Sequence, residues 1–106
     1  ELEYIDGNVF ANVWKSNEIV VIDLQSGAVK AVLDCSGLAA EARRRSRGAG
    51  VLNGIAYHTR RKLLLVTGKN WDVIYAQKMT RRKWRQFGVS GWRLQSPARL
   101  ARMAAQ

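Results

Sequence analysis

The sequence holds 106 residues, 47% of them hydrophobic, with a formal net charge of +10 and one cysteine. That length suits one small domain, a lone cysteine excludes an intramolecular disulfide framework, and no apolar run reaches the length of a membrane-spanning helix. Residues 1–40 carry six acids and two bases, residues 41–78 two acids and nine bases, and residues 79–106 seven bases and no acid, so whole-chain basicity does not by itself argue for a nucleic-acid partner.

The chain opens with two short apolar alternations around Asp6-Gly7, a strong signal for a tight hairpin turn. Asn8 to Lys15 is the second strand of that hairpin, and period-two spacing would put Asn12 and Trp14 on one face of it. Glu18 to Leu24 is too short and too β-branched for a helix and reads as a third strand. After a turn at Gln25-Ser26-Gly27, Ala28 to Leu33 reads as a fourth, so the first third of the chain is an antiparallel meander. Cys35 falls at a strand end and reads as a small half-buried residue.

From Leu38 to Gly50 helix formers give way to the basic run Arg43–Arg47 and then to glycines, which predicts a long loop with at most a helical turn at Leu38–Arg44. Strand character resumes at Val51–Tyr57, Lys62–Gly68 and Asp72–Lys78, with turns at His58–Arg61 and Lys69–Trp71. From Met79 the chain turns basic and aromatic: Lys83-Trp84-Arg85 is followed by Ser96-Pro97, which has the cap and first-turn residues of a short helix. The division expected is residues 1–78 as strands and 79–106 as a basic tail, either a short helix or disordered.

A shift of 53 residues lays Leu2 on Ile55, Tyr4 on Tyr57, Phe10 on Leu63, Ala11 on Leu64, Val13 on Val66, and Val20, Val21 and Ile22 on Val73, Ile74 and Tyr75. Apolar falls on apolar and turn on turn. A strand–turn–strand unit repeating every ~40–50 residues is the mark of propeller blades. The fold class expected is therefore all-β: a partial β-propeller of one and a half to two antiparallel meander blades. So few blades leave apolar sheet faces open, which suggests the C-terminal part of something larger.

The residues Leu2-Glu-Tyr-Ile-Asp-Gly-Asn-Val-Phe-Ala-Asn-Val-Trp14, then Val51-Leu-Asn-Gly-Ile-Ala-Tyr57 and Val66-Thr-Gly-Lys69 with Trp71, resemble the C-terminal part of the plant- and bacterial-type glutaminyl-peptide cyclotransferases, which are five-bladed β-propellers. The resemblance covers about residues 1–78. It implies conversion of an N-terminal glutamine of a peptide or protein to pyroglutamate with release of ammonia. Such an enzyme must hold one glutamine rotamer, keep the α-amine unprotonated, stabilise an oxyanion and protonate the leaving nitrogen.

By that resemblance Trp14 matches a substrate-site tryptophan and Lys69 a site lysine facing the substrate carbonyl or developing oxyanion. Asn12 is either a lining residue or a structural one. Trp71, beside Lys69, is a substrate-binding candidate whose leading role is core or rim packing. Asn53-Gly54 reads chiefly as turn chemistry. Glu1 and Glu3 share a face; the family's motif there is Asn-Glu-Leu-Glu, whose leading Asn is a site residue, and this sequence starts after it. The family's main catalytic carboxylate belongs to earlier blades. The departures are the arginine-rich stretch after Leu38, His58-Thr-Arg-Arg in place of an acidic turn, and Asn70 in place of a large apolar residue. The partner implied is a peptide or protein with N-terminal Gln, with no cofactor and no membrane, and secretion is suggested by the resemblance alone. Two alternatives stay open: a nucleic-acid-binding or interaction module using Arg43–Arg47 and Lys83–Arg85, and a non-catalytic propeller remnant. The one His and one Cys have no partners at metal-ligand spacing.

Overall fold

The computed structural model describes residues 1–79 and 93–95. They form two four-stranded antiparallel meanders joined by one helix. The first sheet is β1 (Leu2–Ile5), β2 (Asn8–Asn12), β3 (Glu18–Asp23) and β4 (Val29–Asp34), hydrogen-bonded in that order. Helix α1 (Ser36–Arg45) follows. The second sheet is β5 (Leu52–His58), β6 (Leu63–Gly68), β7 (Ile74–Lys78) and β8 (Arg93–Gln95). Two successive meanders packed face to face are adjacent propeller blades, as the repeat predicts. The expected helix after Ser96 and the Lys83-Trp84-Arg85 run lie outside the described residues.

The Asp6-Gly7 turn closes β1 on β2 with both residues at positive φ (49° and 84°), as the two central positions of a type I′ turn require. Its register pairs Ile5 with Asn8 and Leu2 with Ala11. Alternation then assigns two faces. One carries Ile5, Phe10, Ile19, Val21 and Leu33, all 5% exposed or less. The equivalent inward set of the second sheet is Ile55, Leu64, Val66 and Tyr75. Both sets, with Leu38 and Ala42 of α1 and with Met79, form one hydrophobic cluster.

Four expectations are corrected. Ser36–Arg45 is a ten-residue helix, so the loop expected over Leu38–Gly50 is confined to residues 46–50. The helix's Leu38, Ala39 and Ala42 make a narrow buried stripe, too slight to stand out in sequence beside the arginines. The Asp34 carboxylate accepts the Ser36 N–H at 2.9 Å, and Arg43, Arg44 and Arg45 sit in the last turn, where the helix dipole favours cations. Strand β2 ends at Asn12, three residues short of the expected Lys15, because Lys15 takes up a left-handed conformation (φ 63°) in a turn where Ser16 N donates to Val13 O. Asn53-Gly54 is not a turn: the β5–β6 register shifts between Leu52 and Gly54, leaving Asn53 as an exposed bulge. Cys35 is buried rather than half-buried, at 1% exposure.

Candidate functional site

The sequence-predicted residues occupy equivalent ends of the two sheets, the ends at which β1 and β5 begin. At the first, Asn12 closes β2, and its backbone N–H donates to Glu1 O at 3.1 Å, extending the β1–β2 ladder by one pair. Glu1 therefore lies opposite Asn12, with Glu3 half-buried two residues along. Asn12 is on the inward face, in register with the fully buried Ile19. Its Oδ1 and Nδ2 are both buried and have no hydrogen-bond partner among the described residues. A buried amide without partners is costly.

Trp14 stands next to this corner but not on the strand face of Asn12. It lies in the β2–β3 turn and is 76% exposed. The ammonium of Lys15 sits 4.7 Å from its ring centroid, within cation–π range. A ring this exposed contributes little to a core, and the face away from Lys15 is open to receive a ligand.

The second end is built differently. Gly68 closes β6, and a Cβ there would fall 2.3 Å from Cε2 of Trp71, so the tryptophan needs a glycine beneath it. The indole Nε1 of Trp71 donates to Gly50 O at 2.9 Å, and the ring meets Tyr75 edge to face, centroids 5.9 Å apart. Trp71 is thus a half-buried latch between the turn and the chain entering β5. Lys69 is fixed by its main chain: Gly50 N donates to its carbonyl at 2.7 Å, and its own N–H donates to Val51 O at 2.8 Å. Its side chain is exposed.

The two shifted ionisable groups of the core belong to packing. Burial pushes the Cys35 thiol up to about 12, with the Asp34 charge adding to it. Burial likewise pushes the Tyr75 phenol up to about 12, with the nearby Glu41 charge acting in the same direction; its hydroxyl has no partner within hydrogen-bonding distance among the described residues. Arg43, Arg44 and Arg47 are exposed, and Arg45 Nε meets Asp72 Oδ1 at 3.3 Å. Among the described residues no group of His, Cys, Asp and Glu is placed to hold a metal ion, and no helix is long and apolar enough to cross a membrane.

Sequence reasoning named Asn12 but not its orphaned amide, since burial of a strand-end residue depends on the neighbouring sheet. It already gave the two tryptophans different parts, Trp14 in the site and Trp71 chiefly in packing, but not the glycine on which the Trp71 ring rests. The Gly68-Lys69-Asn70-Trp71 spacing was the available signal for a ring folded back on a glycine.

The family model for glutamine cyclotransferase matches residues 1–79. The chain is also 40% identical over 80 residues to a glutaminyl-peptide cyclotransferase from Arabidopsis thaliana, an alignment covering 74% of this chain and 25% of that protein. The chain thus spans about a quarter of the length of the curated relative it matches.

Proposed function

The chain belongs to the glutamine cyclotransferase family, and from that premise we propose that it takes part in cyclising N-terminal glutamine to pyroglutamate, with Asn12, Trp14, Glu1 and Lys69 as its contribution to the site. The observation that carries this reading is the Asn12 amide, buried without a partner beside an exposed Trp14. A buried polar group without a partner calls for an explanation, and a contact to a bound ligand is one that the neighbouring Trp14 supports.

The reaction is intramolecular. The α-amine attacks the side-chain amide carbon, the five-membered lactam closes, and the amide nitrogen leaves as ammonia after gaining a proton. Holding the chain in its folded-back rotamer is the main demand, and the face of Trp14 supplies a flat apolar wall for the glutamine methylenes. The Asn12 amide offers both a donor and an acceptor, enough to orient the substrate's amide or its free amine. The Glu1 carboxylate, opposite Asn12, suits the amine end. Lys69, a cation on a rigid main-chain turn, suits the carbonyl or the oxyanion that develops at the amide carbon. Trp71 supports Lys69 from behind, by fixing the turn that carries it.

The test is mass-spectrometric detection of pyroglutamate, with coupled detection of ammonia, on a peptide beginning with Gln. Turnover that drops at least ~10-fold in Trp14→Ala and in Asn12→Leu, with both variants folded, supports the reading. Turnover unchanged in both would overturn it.

A further inference from the structure

The charges at the site end of the molecule are sorted by sheet. The first sheet brings Glu1, Glu18 and Asp34 there, with Lys15 as its base. The second brings Lys69, and the connection between the sheets adds Arg43, Arg44, Arg45 and Arg47, against Glu41 and Asp72. The arginines reach this end for a topological reason. Strand β4 finishes at Asp34, opposite Glu18, and β5 begins at Leu52, opposite Gly68. The chain thus leaves one sheet and enters the next at the end where Asn12 and Lys69 stand.

Helix α1 is tied to the turn that carries Lys69. Arg45 Nε meets Asp72 Oδ1 at 3.3 Å, and Gly50 N donates to Lys69 O at 2.7 Å. Arg43, Arg44, Arg47 and Lys69 are all exposed, and none forms an ion pair among the described residues. The dipole of α1 accounts for cations in its last turn. It does not account for Arg47, beyond the helix, or for Lys69 on a different element. Like charges gathered on one rim without counter-charges set up a positive potential, which favours an anionic partner.

We propose that this rim selects peptides that carry acidic residues directly after their N-terminal glutamine. The inference rests on the cyclisation reading and adds a substrate class to it. With the α-amine held on the Glu1 side, the rest of the peptide has the second sheet's end to cross. Facing sheets stand ~10 Å apart and an extended chain advances ~3.4 Å per residue, so about three residues carry the peptide from one sheet end to the other. Those residues pass the basic rim. Each exposed charge pair is weak and screened by salt, so the selection comes from several acids together and fades as salt rises.

Fluorescence anisotropy of labelled peptides tests this without requiring turnover. Three peptides share one tail and begin Gln-Asp-Glu-Asp, Gln-Ser-Gln-Ser or Gln-Lys-Ser-Lys. At low salt the acidic peptide should bind at least ~5-fold more tightly than the neutral one and the basic peptide more weakly, with the spread collapsing by ~0.3 M salt. The triple variant Arg43→Gln/Arg44→Gln/Arg47→Gln should lose the acidic advantage and keep the neutral peptide's affinity. Arg44→Glu/Arg47→Glu should favour the basic peptide. Equal affinities for the acidic and neutral peptides, or no binding of either, overturn the proposal. Pyroglutamate formation from the neutral peptide is the separate readout of the cyclisation reading, so the two failures are told apart. An acidic preference unchanged by acetylating the glutamine amine also overturns it, as binding unconnected with the site. So does an oligonucleotide that binds more tightly than the acidic peptide and is lost in the triple variant, which would assign the rim to nucleic acid. Should a variant lose its fold, the wild-type peptide and salt series still decides.

Discussion

At the scale of single residues, exposure separates the two tryptophans. Trp14, 76% exposed, should be replaceable by alanine within about 0.5 kcal/mol of stability, measured by urea unfolding, while any cyclisation activity falls. Trp71→Phe should do the reverse, leaving the Gly50 carbonyl without its indole donor at a cost of about 1–3 kcal/mol. Asn12 offers a sharper contrast. Replacing an orphaned buried amide by an isosteric apolar group removes a desolvation penalty, so Asn12→Leu should stabilise the chain by about 1 kcal/mol while removing the proposed substrate contact. A destabilised Asn12→Leu would mean that the amide is a structural fixture instead. Cys35 yields a pH dependence whose sign follows from its raised value. The unfolded thiol ionises near its ordinary 9 and the folded one at about 12, so the stability it contributes is complete below pH 9 and declines as pH rises toward 12. Tyr75, raised from 10 to about 12, acts in the same direction over the upper part of that window. Urea midpoints should therefore drop through this range, and the part of the drop between pH 9 and 10 should flatten in Cys35→Ala.

At the scale of elements, α1 is the piece that composition concealed. It adds only Leu38, Ala39 and Ala42 to the core, but Leu38 is 1% exposed within the cluster that joins both sheets. Leu38→Ala should cost about 2–4 kcal/mol, read as a lower urea midpoint with loss of helical signal. The entry to the helix depends on the Asp34 carboxylate. The backbone N–H of Ser36 holds it below the usual carboxylate range, so its contribution is present above that range and disappears as pH falls through the lowered folded value. The strands, by contrast, were legible because alternation and turn residues act locally. Asp6-Gly7 closes the hairpin it predicts. The end of β2 was not legible, because Val13 and Trp14 are good strand residues that a left-handed Lys15 removes from the ladder.

At the scale of the whole molecule, one cluster spans both sheets and the helix, so the chain should unfold as a single unit. Ile19→Ala in the first sheet should cost about 2–5 kcal/mol and lower the midpoint reported by Trp71, which sits on the second sheet, by as much as that reported by circular dichroism. Two separate transitions would show the sheets to be independent. The same architecture explains why the apolar outer face of the first sheet is no folding error. A meander sheet that stands between two others carries two apolar faces, and the rows Leu2, Ala11, Val20, Val32 and Tyr4, Val9, Ile22, Val29 give the first sheet that pattern.

The sequence by itself determined the local features: strand periods, the Asp6-Gly7 turn, the 53-residue repeat, and motifs specific enough to identify the family. Those rest on interactions between residues near in the chain, and they leave direct traces in composition and spacing. Only the tertiary structure decided which face of each sheet is buried, that Asn12 is enclosed without a partner while Trp14 stands in solvent, and that Trp71 is a latch on Gly50 and Gly68. Each of these depends on a surface brought in from a distant part of the chain: for Asn12 the neighbouring sheet, for Trp71 the strand entry at Gly50. A period of two names two faces but cannot say which one meets water.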